Sequence, residues 1–273
     1  MDEDTGENRK FDCALDLMCR LPPQNIEENV AKLLEIAPEL TDEILSSIDQ
    51  PLKIRLDKHA GHDFLICDYN RDGDSYRSPW SNTYFPPLED GIFPSDRARK
   101  LELIANEAFK TYTRLYYQGG ISSVYFWENE ENLACAILIK KVNSDNPNSK
   151  GAWDSIHIVD IEERGVQARY KLITTIMLYT VNNQGNVGQM NLSGSLTREE
   201  EREGTIDDLN SHIVNIGRFV EDMEFKLRGS IEDVYFGKTK DIVNCLRSST
   251  AQSQIKTHRE LQNDLFTQLR NRN

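Results

Sequence analysis

The chain lacks several features that mark common protein classes. None of its apolar runs approaches the length of a membrane-spanning helix, and the acidic start Met1–Asp4 has no apolar signal region. The net charge is −13, whereas nucleic-acid-binding proteins present basic surfaces. We therefore expect no membrane span, no secretory signal and no nucleic-acid partner.

Cysteine and histidine are also scarce, with five of each. The cysteines form no C-x-x-C pair and most lie in apolar surroundings, so we expect buried free thiols in a reducing compartment. His59 and His62 are three residues apart, but no Cys or third His lies nearby to complete a metal site. No phosphate loop or distinct acid–base pair stands out. The sequence predicts no enzyme activity, no cofactor and no metal.

The apolar periodicity predicts an α+β protein. It divides the chain into a helical stalk at 1–52, an irregular central region at 53–120 with a helix at 95–118, an antiparallel sheet at 121–198, a long helix and a short following helix at 199–247, and a C-terminal amphipathic helix at 248–273.

Local signals mark the ends of these predicted elements. Ser95 is the expected N-cap of the central helix, and Gly119–Gly120 is expected to end that helix. The predicted sheet is a meander of five strands, which needs both of its faces covered or its edge extended by another chain. The acidic run Glu199–Glu201 is expected to link the sheet to the long helix.

The predicted long helix has an apolar stripe that leaves two interpretations open. Its apolar positions recur at steps of three and four: Ile213, Ile216, Val220, Met223, Leu227, Ile231 and Val234. A helix laid across the sheet is the first interpretation, and a coiled-coil seam is the alternative, although a seam normally needs more heptads.

The C-terminal segment differs in composition from the rest. One sector of its helical wheel is apolar: Ile255, Leu261, Leu265, Phe266 and Leu269. Residues 251–273 carry four basic and two acidic side chains, in contrast to the acidic remainder. An amphipathic basic helix after a polar linker is either an arm that binds a partner or a last core helix.

The run CDYNRDGDSYRSPWSN partly imitates a calcium-binding loop. Asp68, Asn70 and Asp72 occupy alternate positions and Gly73 follows, as at the start of an EF-hand loop. The twelfth position, however, requires a bidentate Glu and is Pro79 here. A folded, ion-paired loop is therefore the expected structure, and a calcium sensor is the weaker alternative.

The same run resembles the signature segment of the β subunit family of the heterodimeric F-actin capping protein. Further segments along nearly the whole chain agree with it: DCALDLMCRLPP, SSIDQPLKI, WDSIH, MNLSGSLTR and YFGKTKDIVN. The resemblance implies a heterodimer in which an α and a β subunit of similar fold join their sheets. It also implies that the long helices lie across this sheet and that both C-terminal helices act as tentacles.

The resemblance further implies a function and a set of partners. The heterodimer would bind the barbed end of actin filaments and block the addition and loss of subunits, as a stoichiometric cap without a bond-making step. The implied partners are the capping protein α subunit and the filament barbed end, with regulatory capping-protein-binding proteins and anionic phosphoinositides as further expectations. The implied location is the cytoplasmic actin cytoskeleton, and the Z-disc in muscle.

The resemblance also suggests actin-binding residues. Arg228, just before YFGKTKDIVN, matches a family position in a basic patch that contacts actin. Leu261, Leu265 and Leu269 match the apolar face of the tentacle, and Phe266 lies in the same sector of the helical wheel. The resemblance implies that this face enters a groove on actin. A membrane-associated adaptor that places the basic C-terminal helix on anionic lipid is the alternative function.

Overall fold

The computed structural model describes residues 3–21, 23–129, 132–146, 149–184 and 188–231. Its internal contacts separate a unit Met1–Leu227 from a unit Arg228–Asn273. The elements below belong to the first unit, except for the last residues of the long helix. The predicted helices at 242–246 and 248–273 lie outside the described residues, as does Cys245.

The N-terminal region is a small helical bundle. It contains α1 (Glu3–Arg20), α2 (Ile26–Ile36) and α3 (Thr41–Ser47). Proline punctuates these helices, since a proline ring cannot continue a preceding helix. Three buried side chains form the centre of the bundle, and partly buried side chains from α2 pack against them: Ala14, Leu40, Ile44, Val30, Leu33 and Leu34.

Two small sheets occupy the region that the sequence presents as irregular. Strands β1 (Lys53–Asp57) and β2 (His62–Ile66) form an antiparallel hairpin. Strands β3 (Arg71–Asp72), β4 (Ser75–Arg77) and β5 (Tyr84–Phe85) form a second antiparallel sheet. Strands β3, β4 and β5 have only two or three residues each, which is too short a pattern for periodicity to detect.

The helix α4 (Asp96–Tyr116) follows this region. The Ser95 hydroxyl accepts a hydrogen bond from the backbone N–H of Ala98 at 3.2 Å, so the predicted N-cap is confirmed. The helix ends before Gln118 and Gly119, which both have positive φ.

Five long strands form the main sheet. They are β6 (Ile121–Asn129), β7 (Asn132–Asn146), β8 (Ser149–Arg164), β9 (Gln167–Gln184) and β10 (Gly188–Thr205). Every neighbouring pair is antiparallel and the order is β10-β9-β8-β7-β6, which confirms the predicted meander.

The predicted link at Glu199–Glu201 is wrong. These three residues lie within β10, where they pair with Ile173, Leu172 and Lys171 of β9. The charged side chains are accommodated because Glu201 and Glu199 form ion pairs across the strands with Arg169 and Lys171.

The long helix α5 (Leu209–Ile231) lies on one face of the main sheet, where Glu224 and His212 contact His157 of β8 and Tyr170 of β9. The apolar side chains of the predicted stripe are buried as far as Leu227, and Phe219 beside them is buried as well. The buried set is Ile213, Ile216, Phe219, Val220, Met223 and Leu227. The interpretation of this stripe as a helix laid across the sheet is therefore confirmed.

Both faces of the main sheet are covered. The face opposite α5 contributes to a buried cluster with the central region: Leu52, Leu65, Tyr125, Leu138, Ile156 and Met177. Consequently all seven residues of Leu133–Ile139 in β7 are buried, in a continuous run instead of an alternating pattern.

The expectation of buried cysteines holds only in part. Cys135 is buried, and burial raises the pKa of its thiol. Cys19 and Cys67 are partly buried, and Cys13 is exposed. Cys13 lies on α1, beside the buried Ala14, and does not belong to the apolar cluster of the bundle.

Candidate functional site

The structure describes one of the five residues that the resemblance assigns to actin binding. Arg228 lies in the last turn of α5 and is exposed, as expected for a long basic side chain beside an apolar stripe. Leu261, Leu265, Phe266 and Leu269 lie outside the described residues. The described part of the candidate site is α5 together with the side chains that hold it in place.

A buried carboxylate fixes α5 to its neighbours. Glu224 accepts hydrogen bonds from the hydroxyl groups of Tyr112 and Tyr117, at 2.6 and 2.5 Å. Its Oε1 also lies 3.2 Å from Nε2 of His157 in β8, and the other ring nitrogen of His157 lies 2.9 Å from the Thr174 hydroxyl. One side chain of α5 thus joins the helix to both α4 and the sheet.

These partners hold Glu224 in its charged form. Burial alone would raise the pKa of this carboxyl group, but the bonds and charge from His157 and the bonds from Tyr112 and Tyr117 lower it to about 2. The apolar pattern of the long helix contains one sign of this buried carboxylate. Glu224 follows Val220 by four residues, which places a carboxylate within the buried stripe, where it requires partners.

Ion pairs with strand β10 also hold α5 in place. Lys226 contacts the carboxylate of Glu200 at 2.5 and 2.8 Å, and Arg202 donates to Asp222 at 2.6 Å. The guanidinium of Arg202 also lies 4.5 Å from the ring centre of Phe219. The acidic run interpreted as a linker therefore contributes to the docking of α5.

A third connection joins the end of α4 to the surface of α5. The Tyr116 hydroxyl donates to the exposed carboxylate of Glu221, and the Tyr116 ring lies 4.6 Å from the ring of Tyr112. Tyrosine side chains therefore fix the orientation of α5 about its axis.

The signature run CDYNRDGDSYRSPWSN is folded around Asn70. The Asn70 side-chain oxygen accepts from the backbone N–H of Cys67 at 2.9 Å. Its amide nitrogen donates to the Arg77 carbonyl at 2.9 Å, the Tyr125 hydroxyl at 3.0 Å and the Leu65 carbonyl at 3.5 Å. This buried side chain joins β2, β4 and β6, so it serves the fold of the segment.

The other two residues of the calcium-like pattern also have partners in the fold. Asp72 accepts from the backbone N–H of Ile92 at 3.1 Å, and Asp68 lies 3.7 Å from Arg71. Arg77, at the end of β4 in the same run, forms a buried ion pair with a glutamate of α4. These contacts agree with the expectation of a folded, ion-paired loop.

The described residue ranges contain neither a metal-like cluster of side chains nor a membrane-spanning helix. No group of three or more His, Cys, Asp and Glu side chains in those ranges is arranged to hold a metal ion. No described helix is both long and apolar enough to cross a membrane.

Known proteins resemble this chain along most of its length. The family model described as F-actin capping protein, beta subunit, matches residues 11–243. F-actin-capping protein subunit beta of Drosophila melanogaster is 52% identical over 266 residues, which cover 97% of this chain and 96% of the relative. The subunit beta of Caenorhabditis elegans is 51% identical, with 97% and 98% of the two chains covered. That of Dictyostelium discoideum is 48% identical with the same coverage.

A solved structure agrees with the fold. The homodimeric actin capping protein alpha subunit from Plasmodium berghei matches with a TM-score of 0.53, covering 89% of this chain and 98% of that one. Its sequence is 17% identical, so this match concerns the fold alone. Since the family model covers residues 11–243 and the relatives align along nearly the whole chain, this chain belongs to the F-actin capping protein beta subunit family.

Proposed function

We propose that this chain is the β subunit of a heterodimer that caps the barbed ends of actin filaments. The observation that carries the proposal is its family membership, with relatives named subunit beta that are 52% and 51% identical over 97% of the chain. The partner would be a capping protein α subunit, and the pair would block the addition and loss of actin subunits. In this proposal one heterodimer blocks one filament end, and no bond is made or broken.

The two edges of the main sheet favour one strand for pairing with the α subunit. The outer edge of β6 is covered by α4, because the Asn106 side chain accepts from Val124 N–H and donates to Val124 carbonyl, both at 2.9 Å. Glu102 accepts from the backbone N–H of Phe126 at 3.1 Å. β10 ends the strand order on the other side, with β9 as its strand neighbour. We propose that the α subunit pairs with β10.

The contacts with actin are assigned to two separate regions. Arg228 would act through its charge on an acidic surface of actin, and its exposure on α5 is consistent with that role. Leu261, Leu265, Phe266 and Leu269 would form the apolar face of a tentacle helix that docks in a groove on actin. The proposed organisation of the chain keeps the divisions 1–52, 53–120 and 248–273, but the sheet region extends to Thr205 and the long helix begins at Leu209.

Further partners and the location follow from the same proposal. Regulatory capping-protein-binding proteins and anionic phosphoinositides would modulate the heterodimer at filament ends in the cytoplasm, and at the Z-disc in muscle. A membrane adaptor that uses the C-terminal helix on anionic lipid is the alternative, and the known relatives of this chain do not support it.

Co-expression tests the proposal directly. We expect the chain expressed with a capping protein α subunit to yield a soluble 1:1 complex, and the chain expressed alone to aggregate or self-associate, since β10 would lack its partner. The complex should stop elongation from the barbed ends of filament seeds at substoichiometric amounts relative to actin monomer. A stable, cooperatively folding monomer, or a complex without effect on seeded elongation, would contradict the proposal.

A further inference from the structure

A second histidine lies buried beneath α5, at the N-terminal end of this helix. His212 is in the first turn and is 1% exposed. Its Nδ1 lies 3.0 Å from the hydroxyl oxygen of Tyr170 in β9, and its Nε2 lies 3.2 Å from a carboxylate oxygen of Glu163 in β8. Arg97 of α4 forms an ion pair with the same carboxylate oxygen. Groups from three other elements therefore meet at one imidazole ring.

The hydrogen bonds around Tyr170 fix the protonation state of His212. The amide nitrogen of Asn215 donates to the Thr205 carbonyl oxygen, which can only accept, and to the Tyr170 hydroxyl oxygen, both at 3.1 Å. The hydroxyl proton of Tyr170 is therefore directed to its other partner, Nδ1 of His212. Because Nδ1 accepts this proton and Nε2–H donates to Glu163, the ring is neutral in the folded protein.

The partners of His212 are held closely against the backbone of β10. A Cβ atom at Gly204 would lie 2.7 Å from the amide nitrogen of Asn215 and 3.1 Å from a ring carbon of Tyr170. Only a glycine permits so close an approach. The amide and the hydroxyl therefore have little freedom to reorient around the imidazole.

A proton added to His212 would disturb this arrangement. The new Nδ1–H would face the Tyr170 hydroxyl, whose own proton would lose its acceptor inside the protein. The first turn of a helix also carries the positive end of the helix dipole, which disfavours a cation there. Burial, together with the nearby Arg97 guanidinium, lowers the pKa of His212 below its ordinary value of 6.5, against the opposing effect of the Glu163 carboxylate.

The other histidine beneath α5 has partners of a different kind. His157 contacts the Glu224 carboxylate at 3.2 Å and the Thr174 hydroxyl at 2.9 Å. A hydroxyl group can either donate or accept a hydrogen bond, and a carboxylate accepts from either form of the ring. Both contacts of His157 can therefore persist when this ring carries a proton, so Glu224 continues to hold the middle of α5 on the sheet.

We propose that His212 is a pH-sensitive switch, which holds the first two turns of α5 (209–216) on the sheet when neutral and releases them when protonated. The released ring takes its proton from solvent, and no other reactant is required. The direction follows from the two states. The released ring binds a proton more readily than the buried ring does, so the closed state has its full advantage above about pH 6.5 and loses it as the pH falls below that value. This inference concerns the fold of the chain and does not depend on the capping function.

Amide hydrogen exchange of the purified heterodimer tests the switch. Between about pH 7.5 and about pH 5.5, after correction for the intrinsic exchange rate, residues 209–216 should lose protection severalfold, up to about tenfold for a single histidine. Residues 220–227, which contain Glu224, provide the internal comparison and should keep their protection. His212→Gln, whose side chain cannot be protonated in this range, should remove the pH dependence. His62→Gln is the matched control, since His62 is exposed on β2, and it should behave like wild type.

Three outcomes would overturn the switch. The first is constant protection of residues 209–216 across this pH range. The second is an equal loss in residues 220–227, because acid would then loosen the whole helix. The third is a pH dependence that persists in His212→Gln, because another group would then be responsible. If His212→Gln does not fold, the comparison of the two wild-type segments still supports or overturns the switch. A heterodimer that shows the expected exchange but does not cap would contradict the proposed function alone.

Discussion

Arg77 and Glu102 face each other inside the protein in a two-pronged ion pair. The two guanidinium nitrogens of Arg77 lie 2.8 and 2.7 Å from the two carboxylate oxygens of Glu102, and the side chains are 6% and 0% exposed. Glu102 also accepts from Arg99 and from the backbone N–H of Phe126. One carboxylate of α4 therefore holds the signature segment and the edge of β6 together.

The first prediction concerns this carboxylate. Glu102→Ala should destabilise the heterodimer by about 3–5 kcal/mol, because it leaves the buried Arg77 charge without its partner. Glu107→Ala on the exposed side of α4 is the control and should change the stability by less than about 0.5 kcal/mol. Chemical denaturation measures both. A loss below about 1 kcal/mol for Glu102→Ala would show that the ion pair contributes little.

The second prediction concerns pH and Asp57, a fully buried carboxylate. Burial raises its pKa, but hydroxyl and backbone donors from Ser78, Ser81, Ala60 and His59 outweigh burial and lower the pKa from 3.8 to about 2. The pKa of Asp57 is lower in the folded protein than in the unfolded chain, so the ionised carboxylate stabilises the fold. This stabilisation is fully present above about pH 3.8 and is lost as the pH falls towards 2.

Asp57→Asn should therefore cost about 2 kcal/mol near pH 7, and the gap to wild type should shrink as the pH approaches 2. Denaturation curves of both proteins at pH 7 and pH 3 provide the comparison. If the gap has the same size at both pH values, the charged form of Asp57 is not the source of the stabilisation.

The third prediction tests Arg228. Arg228→Glu should slow capping of growing barbed ends and weaken the salt dependence of the association rate, since a favourable charge is replaced by a repulsive one. The melting temperature should be retained, because Arg228 is exposed. Lys58→Glu is the control for net charge, because it makes the same charge reversal at an exposed position in the turn between β1 and β2. Equal capping rates for wild type and Arg228→Glu at every salt concentration would remove Arg228 from the contact.

The fourth prediction concerns the proposed tentacle. Leu265→Asp should leave the heterodimer stability nearly unchanged and accelerate the regrowth of capped filaments after dilution, since a lost docking contact acts mainly on dissociation. Leu101→Ala in the buried face of α4 is the comparison and should cost about 2–5 kcal/mol. A Leu265→Asp melting temperature as low as that of Leu101→Ala would mean that the C-terminal helix belongs to the core.

Patterns along the chain predict the main helices, the five-stranded sheet and the family. Ser95 marks the start of α4 because an N-cap depends on its own side chain and a backbone group three residues away. The five strands of the sheet and the buried stripe of α5 follow from periodicity, which is a local property. The segments that resemble the capping protein β subunit are also readable without a structure, because they are fixed by residue identity.

The roles of the polar residues depend on contacts that exist only in the folded chain. Glu200 lies in β10 although composition predicts a linker at Glu199–Glu201, and its partner Lys226 is brought alongside by the docking of α5. Asn70 belongs to the fold although its spacing imitates a calcium loop, because Tyr125 lies 55 positions further along the chain and meets it only after folding. Hydrogen bonds and ion pairs depend on distance in space, which periodicity along the chain does not encode.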